Sequence, residues 1–370
     1  MIAAPRTGRA PELASAEKAK QDMMMPRYSP AELRQLKQQD TGRPFDLADR
    51  LGVPEAALVA AHVGHGNLRI DPTPGRLIPA VQGLGEVMAL TRNRSCVIEK
   101  VGTYNDFHDG EHAAMTLDAE IDLRIFPRHW SHAFAVETQG EQGIRRSVQV
   151  FDAAGDAVHK VHLRDTSDLA AWETLKRELA LFDQSDAAEF GPRAPVEPAK
   201  SPLEKAETLR QEWRAMTDPH QFNTLVRRLK MNRLGAYRIA GAPLAVPLAV
   251  GAVSRLFDLL PQTGTQVMLF VGNMGCIEIH SGPVHSLRPM GPWINVMDPR
   301  FNLHLRGDRV AEVWLVDKPT RRGPALSVEA FDAEGGLIFQ CFGMRPEKGG
   351  DHDAWVRLTD SLPRLAEAAE

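Results

Sequence analysis

Two residues stand out by type and placement. His220 follows Asp218-Pro219, a pair suited to a helix start, with aspartate as N-cap and proline at the first helical position. At 100° per residue, Phe222, Leu225, Val226 and Leu229 share one apolar face, and His220 points almost opposite. Its imidazole is therefore left to a ligand or to solvent; the pattern allows both. Arg124 lies in Ile121-Asp-Leu-Arg-Ile-Phe126. Strand alternation puts Ile121, Leu123 and Ile125 on one face, and Asp122, Arg124 and Phe126 on the other. An arginine beside an aromatic ring could line a cleft for an anion or a planar ring. A solvated strand face is the plainer reading.

Other chemistry-bearing motifs are weaker. His108-Asp-Gly-Glu-His112 has the composition of a metal site, but its glycine favours a polar turn. His129 and His132 flank Trp130, where a structural role is expected. There is no phosphate-binding loop, nucleophile elbow, CxxC pair or Gly-rich dinucleotide fingerprint.

The elements that position these residues come from a duplication. Val87-Met88 through Asn93 to Cys96 resembles Val267-Met268 through Asn273 to Cys276, at an offset of 180. The same offset aligns Phe134-Ala-Val-Glu137 with Trp314-Leu-Val-Asp317, and Phe151-Asp-Ala-Ala-Gly155 with Phe331-Asp-Ala-Glu-Gly335. Agreement of many blocks in one register marks two copies of one fold. Copy one is placed at 27–182 and copy two at 206–368. Pro192, Pro195, Pro198 and Pro202 make 183–205 an extended linker. Residues 1–26 read as a frayed leader.

Each copy reads as helices, then short strands, then a closing helix. The fold class is α+β, with an antiparallel sheet and flanking helices in each copy. Asp152-Ala-Ala-Gly155 and Asp332-Ala-Glu-Gly335 are hairpin turns. Ser167 can N-cap a helix carrying Leu169, Trp172, Leu175 and Leu179. Cys96 and Cys276 occupy equivalent strand positions, which suits core packing.

Positions where the copies differ could carry function in one of them. Arg124 matches His304, Thr138 matches Lys318, Lys160 matches Gln340, and Asp165 matches Arg345. For any one such pair, neutral drift at the surface is the plainer reading.

Composition bounds the rest. The 370 residues are 43% hydrophobic and 25% charged, with a net charge of -4. That balance gives no overall attraction to nucleic acid or an anionic membrane. Three cysteines make no disulfide framework and suit a reducing compartment. The most apolar run, 239–253, is broken by Pro243 and Pro247 and falls short of the roughly 20 residues of a membrane span. The N-terminal segment has no apolar signal core. A cytoplasmic protein, not embedded in a membrane, is expected.

The spaced motifs resemble a known family. Glu212-Trp-Arg-Ala-Met-Thr-Asp-Pro-His-Gln-Phe222, Val271-Gly-Asn-Met-Gly-Cys276, Trp293-Ile-Asn-Val-Met-Asp-Pro299, Phe301-Asn-Leu-His-Leu305 and Lys318-Pro-Thr320 carry the likeness in copy two. Leu90-Thr-Arg-Asn-Arg-Ser-Cys96, Ile121-Asp-Leu-Arg124 and Trp130 carry it in copy one. The pattern is similar to the HemS/HmuS/ChuS type of bacterial haem-trafficking or hemin-degrading protein, over about residues 30–365.

The resemblance implies one haem, iron protoporphyrin IX, in a cleft between the halves. His220 matches the axial iron ligand, a role neutral imidazole performs well. Arg124 matches the distal arginine, the catalytic candidate, and Phe126 could pack on the porphyrin. Arg233, Lys318, Gln340 and Arg345 match positions near the propionates, where cations give charge-assisted hydrogen bonds. Phe342 stands where relatives often have tyrosine, Pro219 replaces an aliphatic residue, and Ile98 replaces a histidine that could hold a second haem. The implied function is oxidative haem opening with release of iron, delivery of haem to a haem oxygenase, or both. A pure carrier or buffer is the alternative. Catalysis would need an external electron donor, and a reductase or inner-membrane haem importer could be a partner.

Overall fold

The structure is a computed structural model that describes residues 28–141 and 143–365. The leader expected at 1–26 lies outside the described residues, as do the outermost residues of both expected copies.

Copy one opens with α1 (Pro30–Gln39), α2 (Pro44–Leu51) and α3 (Glu55–Ala60). A capping box starts α1: the Ser29 hydroxyl accepts from the Glu32 amide, and the Glu32 carboxylate accepts from the Ser29 amide. Gly52, at φ 67°, ends α2 in the left-handed region. Then follow β1 (Asn67–Ile70), α4 (Pro74–Gln82), β2 (Val87–Arg92), β3 (Cys96–Gly102), β4 (Phe107–His108), β5 (Ala114–Leu117), β6 (Asp122–Ile125), β7 (His132–Gly140), β8 (Gly143–Phe151), β9 (Ala157–Leu163) and α5 (Leu169–Leu179).

Copy two repeats the order with α6 (Ala206–Arg214), α7 (Gln221–Arg228), α8 (Arg233–Ala240), β10 (Ala245–Leu248), α9 (Ala252–Thr263), β11 (Val267–Gly272) and β12 (Cys276–Gly282). It continues with β13 (Trp293–Asp298), β14 (Phe301–Arg306), β15 (Glu312–Thr320), β16 (Gly323–Phe331), β17 (Leu337–Gly343) and α10 (His352–Asp360). Among the described residues, no helix is long and apolar enough to cross a membrane.

The expected Asp-Gly turns join β8 to β9 and β16 to β17. Asp152 accepts from the amides of Ala154 and Asp156, and Asp332 from those of Glu334 and Gly336. One helix start differs from expectation. Asp168, not Ser167, caps α5, accepting from the amides of Ala170 and Ala171. The Ser167 hydroxyl is used in the preceding turn, where it donates to the Glu86 carbonyl and accepts from the Arg164 amide.

The two antiparallel sheets with flanking helices are present, but the copies exchange strands. The first sheet runs β1-β7-β8-β9-β2-β3-β14-β13, and the second β10-β15-β16-β17-β11-β12-β6-β5-β4. Strands β13 and β14 of copy two complete the sheet of copy one. Strands β4, β5 and β6 of copy one complete the sheet of copy two. The apolar side chains do not follow their backbones across. Ile121, Leu123 and Ile125 still pack in the core of copy one, with α4, α5, Trp172 and Leu175. Phe301, Leu303 and Leu305 still pack in the core of copy two, with α9, α10 and Trp355.

Two equivalent asparagines fasten the halves. Asn93 Nδ2 donates to the carbonyls of Gly272 and Ile338, while Asn273 Nδ2 donates to those of Arg92 and Val158. Each side-chain oxygen accepts from two amides of its own turn, so the groups are satisfied where the sheets meet.

Candidate functional site

Strand exchange decides what reaches the second sheet. Because β6 buries Ile121, Leu123 and Ile125 in the first core, its other face carries Asp122 and Arg124. That face is continuous with one face of copy two. The ladder register sets Trp314, Glu329, Gln340, Phe270, Ile279 and Asp122 in one row across six strands. Directly paired residues share a face. Arg124 pairs with Ile277 in the next row, and Phe342 with Met268 on the other side. Helices α6 to α8 cover the β15–β16 end of this face, over Trp314, Val316 and Phe331. Gln340, Phe342, Met268, Phe270, Ile277 and Arg124 remain half-buried, as does Phe126. The result is an apolar strip with two aromatic rings 5.4 Å apart, Phe270 and Phe342, and a cation at its end.

His220 comes from the helical side. Helix α7 begins at Gln221, two residues later than the Asp218-Pro219 signal implies. Asp218 instead accepts from the His220 amide at 2.8 Å and closes the turn before the helix. The Gln221 side chain accepts from the amides of Thr217 and Asp218, which fixes this loop. Phe222, Leu225, Val226 and Leu229 are buried, whereas His220 is exposed, as the helical angles require. No described residue hydrogen-bonds its ring. Below this loop, the Arg321 amide donates to the Thr217 carbonyl, and Arg322 pairs with Glu347. On β6, Asp122 is the ion-pair partner of Arg124.

The basic residues divide into two sets. Arg345 is exposed on the turn before Lys348, and Gln340 is half-buried within the strip. Lys318 and Arg233 instead enter an internal cluster around Glu329. Lys318 Nζ donates to Glu329 Oε1 at 2.5 Å and to the Tyr237 hydroxyl at 3.0 Å. Arg233 Nη1 donates to Glu329 Oε2 at 3.1 Å, and Nη2 to Asn223 on α7 at 3.2 Å. Lys318 is only 3% exposed, so a propionate contact requires it to leave these partners.

Burial would raise the Glu329 pKa, but Lys318 and then Arg233 outweigh it and hold the carboxylate at about 2. Burial pushes Lys318 down to about 8 despite Glu329, because Arg233 shares the same carboxylate. Both cations lie over the Phe222 ring, at 5.2 Å for Lys318 and 5.7 Å for Arg233. The cluster thus supports the helix that follows His220.

Three contributors were not anticipated: Glu329, Tyr237 and the Phe270–Phe342 strip. The difference between Glu329 and its repeat equivalent Gln149 was the available signal. Other motifs lie apart. His108 pairs with Asp106 at 3.0 Å, and the described residues contain no group of three or more His, Cys, Asp or Glu able to hold a metal. Surface recesses of about 360 Å³ beside Trp293 and about 170 Å³ beside Phe45 contain neither His220 nor Arg124.

Comparison with known proteins agrees with this architecture. The family described as "Haemin-degrading HemS.ChuX domain" matches residues 52–179 and 230–362, one stretch in each copy. The hemin transport protein HmuS of Yersinia pestis is 37% identical over 311 residues, covering 84% of this chain and 90% of that protein. The structure of holo-PhuS, a heme-binding protein from Pseudomonas aeruginosa, superposes with a TM-score of 0.86 at 39% identity, over 91% of this chain and 100% of that one. The heme degrading enzyme ChuS of Escherichia coli O157:H7 superposes with a TM-score of 0.83 at 32% identity, over 90% of this chain and 100% of that one. With both copies matched and relatives aligned along most of its length, the chain belongs to the haemin-degrading HemS.ChuX domain family.

Proposed function

We propose that this chain binds one haem between the α7 loop and the open face of the second sheet and serves haem utilisation. His220 ligates the iron, and Arg124 stands on the opposite side as a permanent cation and donor. Phe126, Phe270 and Phe342 offer apolar surface to the porphyrin. Gln340, Arg345 and the partly exposed Arg233 meet the propionates, and Lys318 adds buried positive charge behind them. The observation that carries this reading is the strand exchange. It brings a copy-one arginine onto the same sheet face of copy two that the helices flanking exposed His220 partly cover.

Bound haem supplies the oxygen chemistry, with electrons from an external donor. The protein orients the haem, shields one face and places a cation at the other. We propose oxidative opening of haem with release of iron, delivery of haem to an oxygenase, or both, in the cytoplasm. A reductase and an inner-membrane haem importer are the proposed neighbours.

The binding test is His220→Ala. It should abolish or strongly shift the Soret band of the loaded protein and leave the apo fold intact, since the side chain is exposed. An unchanged spectrum would sink the axial assignment. For turnover, the protein is loaded anaerobically, then given an electron donor with and without oxygen under catalase. An oxygen-dependent open tetrapyrrole means degradation. Intact haem means delivery only.

A further inference from the structure

We propose that Asp122 is a positioning residue for Arg124, an inference that rests on Arg124 as the distal cation. Both lie on the same face of β6, two residues apart. Arg124 Nη1 donates to Asp122 Oδ1 and, at 2.9 Å, to its own Leu123 carbonyl. An amino group of guanidinium has two hydrogens, so Nη1 is fully used. Among the described residues nothing accepts from Nε or Nη2, which leaves their hydrogens for a ligand. Asp122 thereby selects which edge of the fork faces the cleft, and it offsets part of the guanidinium charge.

The placement of Asp122 is costly for a purely structural residue. It is 8% exposed and stands in the ladder beside Ile279. Burial raises its pKa, opposed first by Arg124 and then by Lys348 and Lys100, the charged groups that face it. The other copy builds the equivalent strand without a carboxylate: Asn302 and His304 occupy the places of Asp122 and Arg124. There His304 turns to Asn295 at 2.7 Å. His304 Nε2 also lies 4.0 Å from Glu99 on the neighbouring strand, so what distinguishes the sheet with the open aromatic strip is a permanent cation paired with a carboxylate of its own strand.

The experiment uses haem-loaded full-length protein in the ferric state and follows the midpoint of its acid–alkaline spectral transition. Asp122→Asn should lower the midpoint by on the order of one pH unit, because an uncompensated cation favours the more negative alkaline form. Arg124→Ala should raise it. The double variant should match Arg124→Ala alone, since Asp122 acts through the arginine. Asp122→Ser provides the same reading if the asparagine variant folds poorly. A midpoint unmoved by either Asp122 variant, while Arg124→Ala moves it, would overturn the positioning role and leave the site intact. A midpoint unmoved by Arg124→Ala would overturn both.

Discussion

Lys318 and Glu329 form an ion pair at 2.5 Å, with side chains 3% and 0% exposed. A buried pair of this kind is strongly destabilising to break from one side, because the remaining charge stays in a poor medium. Here the carboxylate serves two cations, so its removal leaves both without compensation.

Glu329→Gln should therefore destabilise the protein by about 3–5 kcal/mol, measured by urea unfolding. Lys318→Met should lose less, since Arg233 and Glu329 remain paired. Haem affinity should fall with Glu329→Gln as well, because the cluster lies under Phe222 and α7. Equal losses in the two variants would contradict the shared-carboxylate arrangement.

A second buried acid predicts a pH dependence. Glu278 pairs with Leu123 in the β12–β6 ladder, is 0% exposed, and neither of its oxygens has a hydrogen-bond partner among the described residues. Burial pushes its pKa up to about 8, against the opposing charge of Lys100. The folded state thus holds a proton that the unfolded chain releases near pH 4.5. The stability from this group is complete below about pH 4.5 and is lost as pH rises through about 8. Between pH 5 and 9 the wild type should lose up to about 4 kcal/mol more than Glu278→Gln. Parallel unfolding curves for the two proteins would refute this.

The same site predicts a stabilising substitution. Ile98 occupies the equivalent place in the other core, where its surroundings are apolar. Glu278→Ile should stabilise by about 1–3 kcal/mol at pH 8, read as a higher melting temperature. The hydroxyl and imidazole of Tyr104 and His159, bonded at 2.6 Å, should be undisturbed.

Strand exchange predicts that the copies depend on one another. Expressed alone, copy one lacks the partners of β3 and β6, and copy two those of β14 and β12. Each should be poorly folded and bind haem weakly, whereas co-expressed copies should purify as a 1:1 complex that binds haem. An isolated second copy with full haem affinity would contradict the shared face.

The exposed cation predicts a measurable preference among ligands. Wild type should bind haem more tightly than its dimethyl ester, and Arg345→Ala should shrink that preference severalfold, as suits a solvent-screened pair. Titration of both ligands into both proteins checks this.

The duplication, the Asp-Gly turns, the apolar stripe of α7 and the two faces of β6 were legible in the sequence, because each depends on local periodicity or on repetition. So were His220 as a residue off the core and Arg124 as one on a polar strand face. What joins them was not legible. The pairing of Arg124 with Ile277 links residues more than 150 positions apart through backbone hydrogen bonds, which carry no side-chain signature. The expected use of Lys318 on the cleft surface also depended on tertiary structure, since only packing shows that Glu329 and Tyr237 already hold its ammonium. The sequence by itself determined which faces of each element are apolar. Tertiary structure decided which copy's sheet each strand would complete, because an open sheet edge accepts any strand that buries its apolar face at the same time.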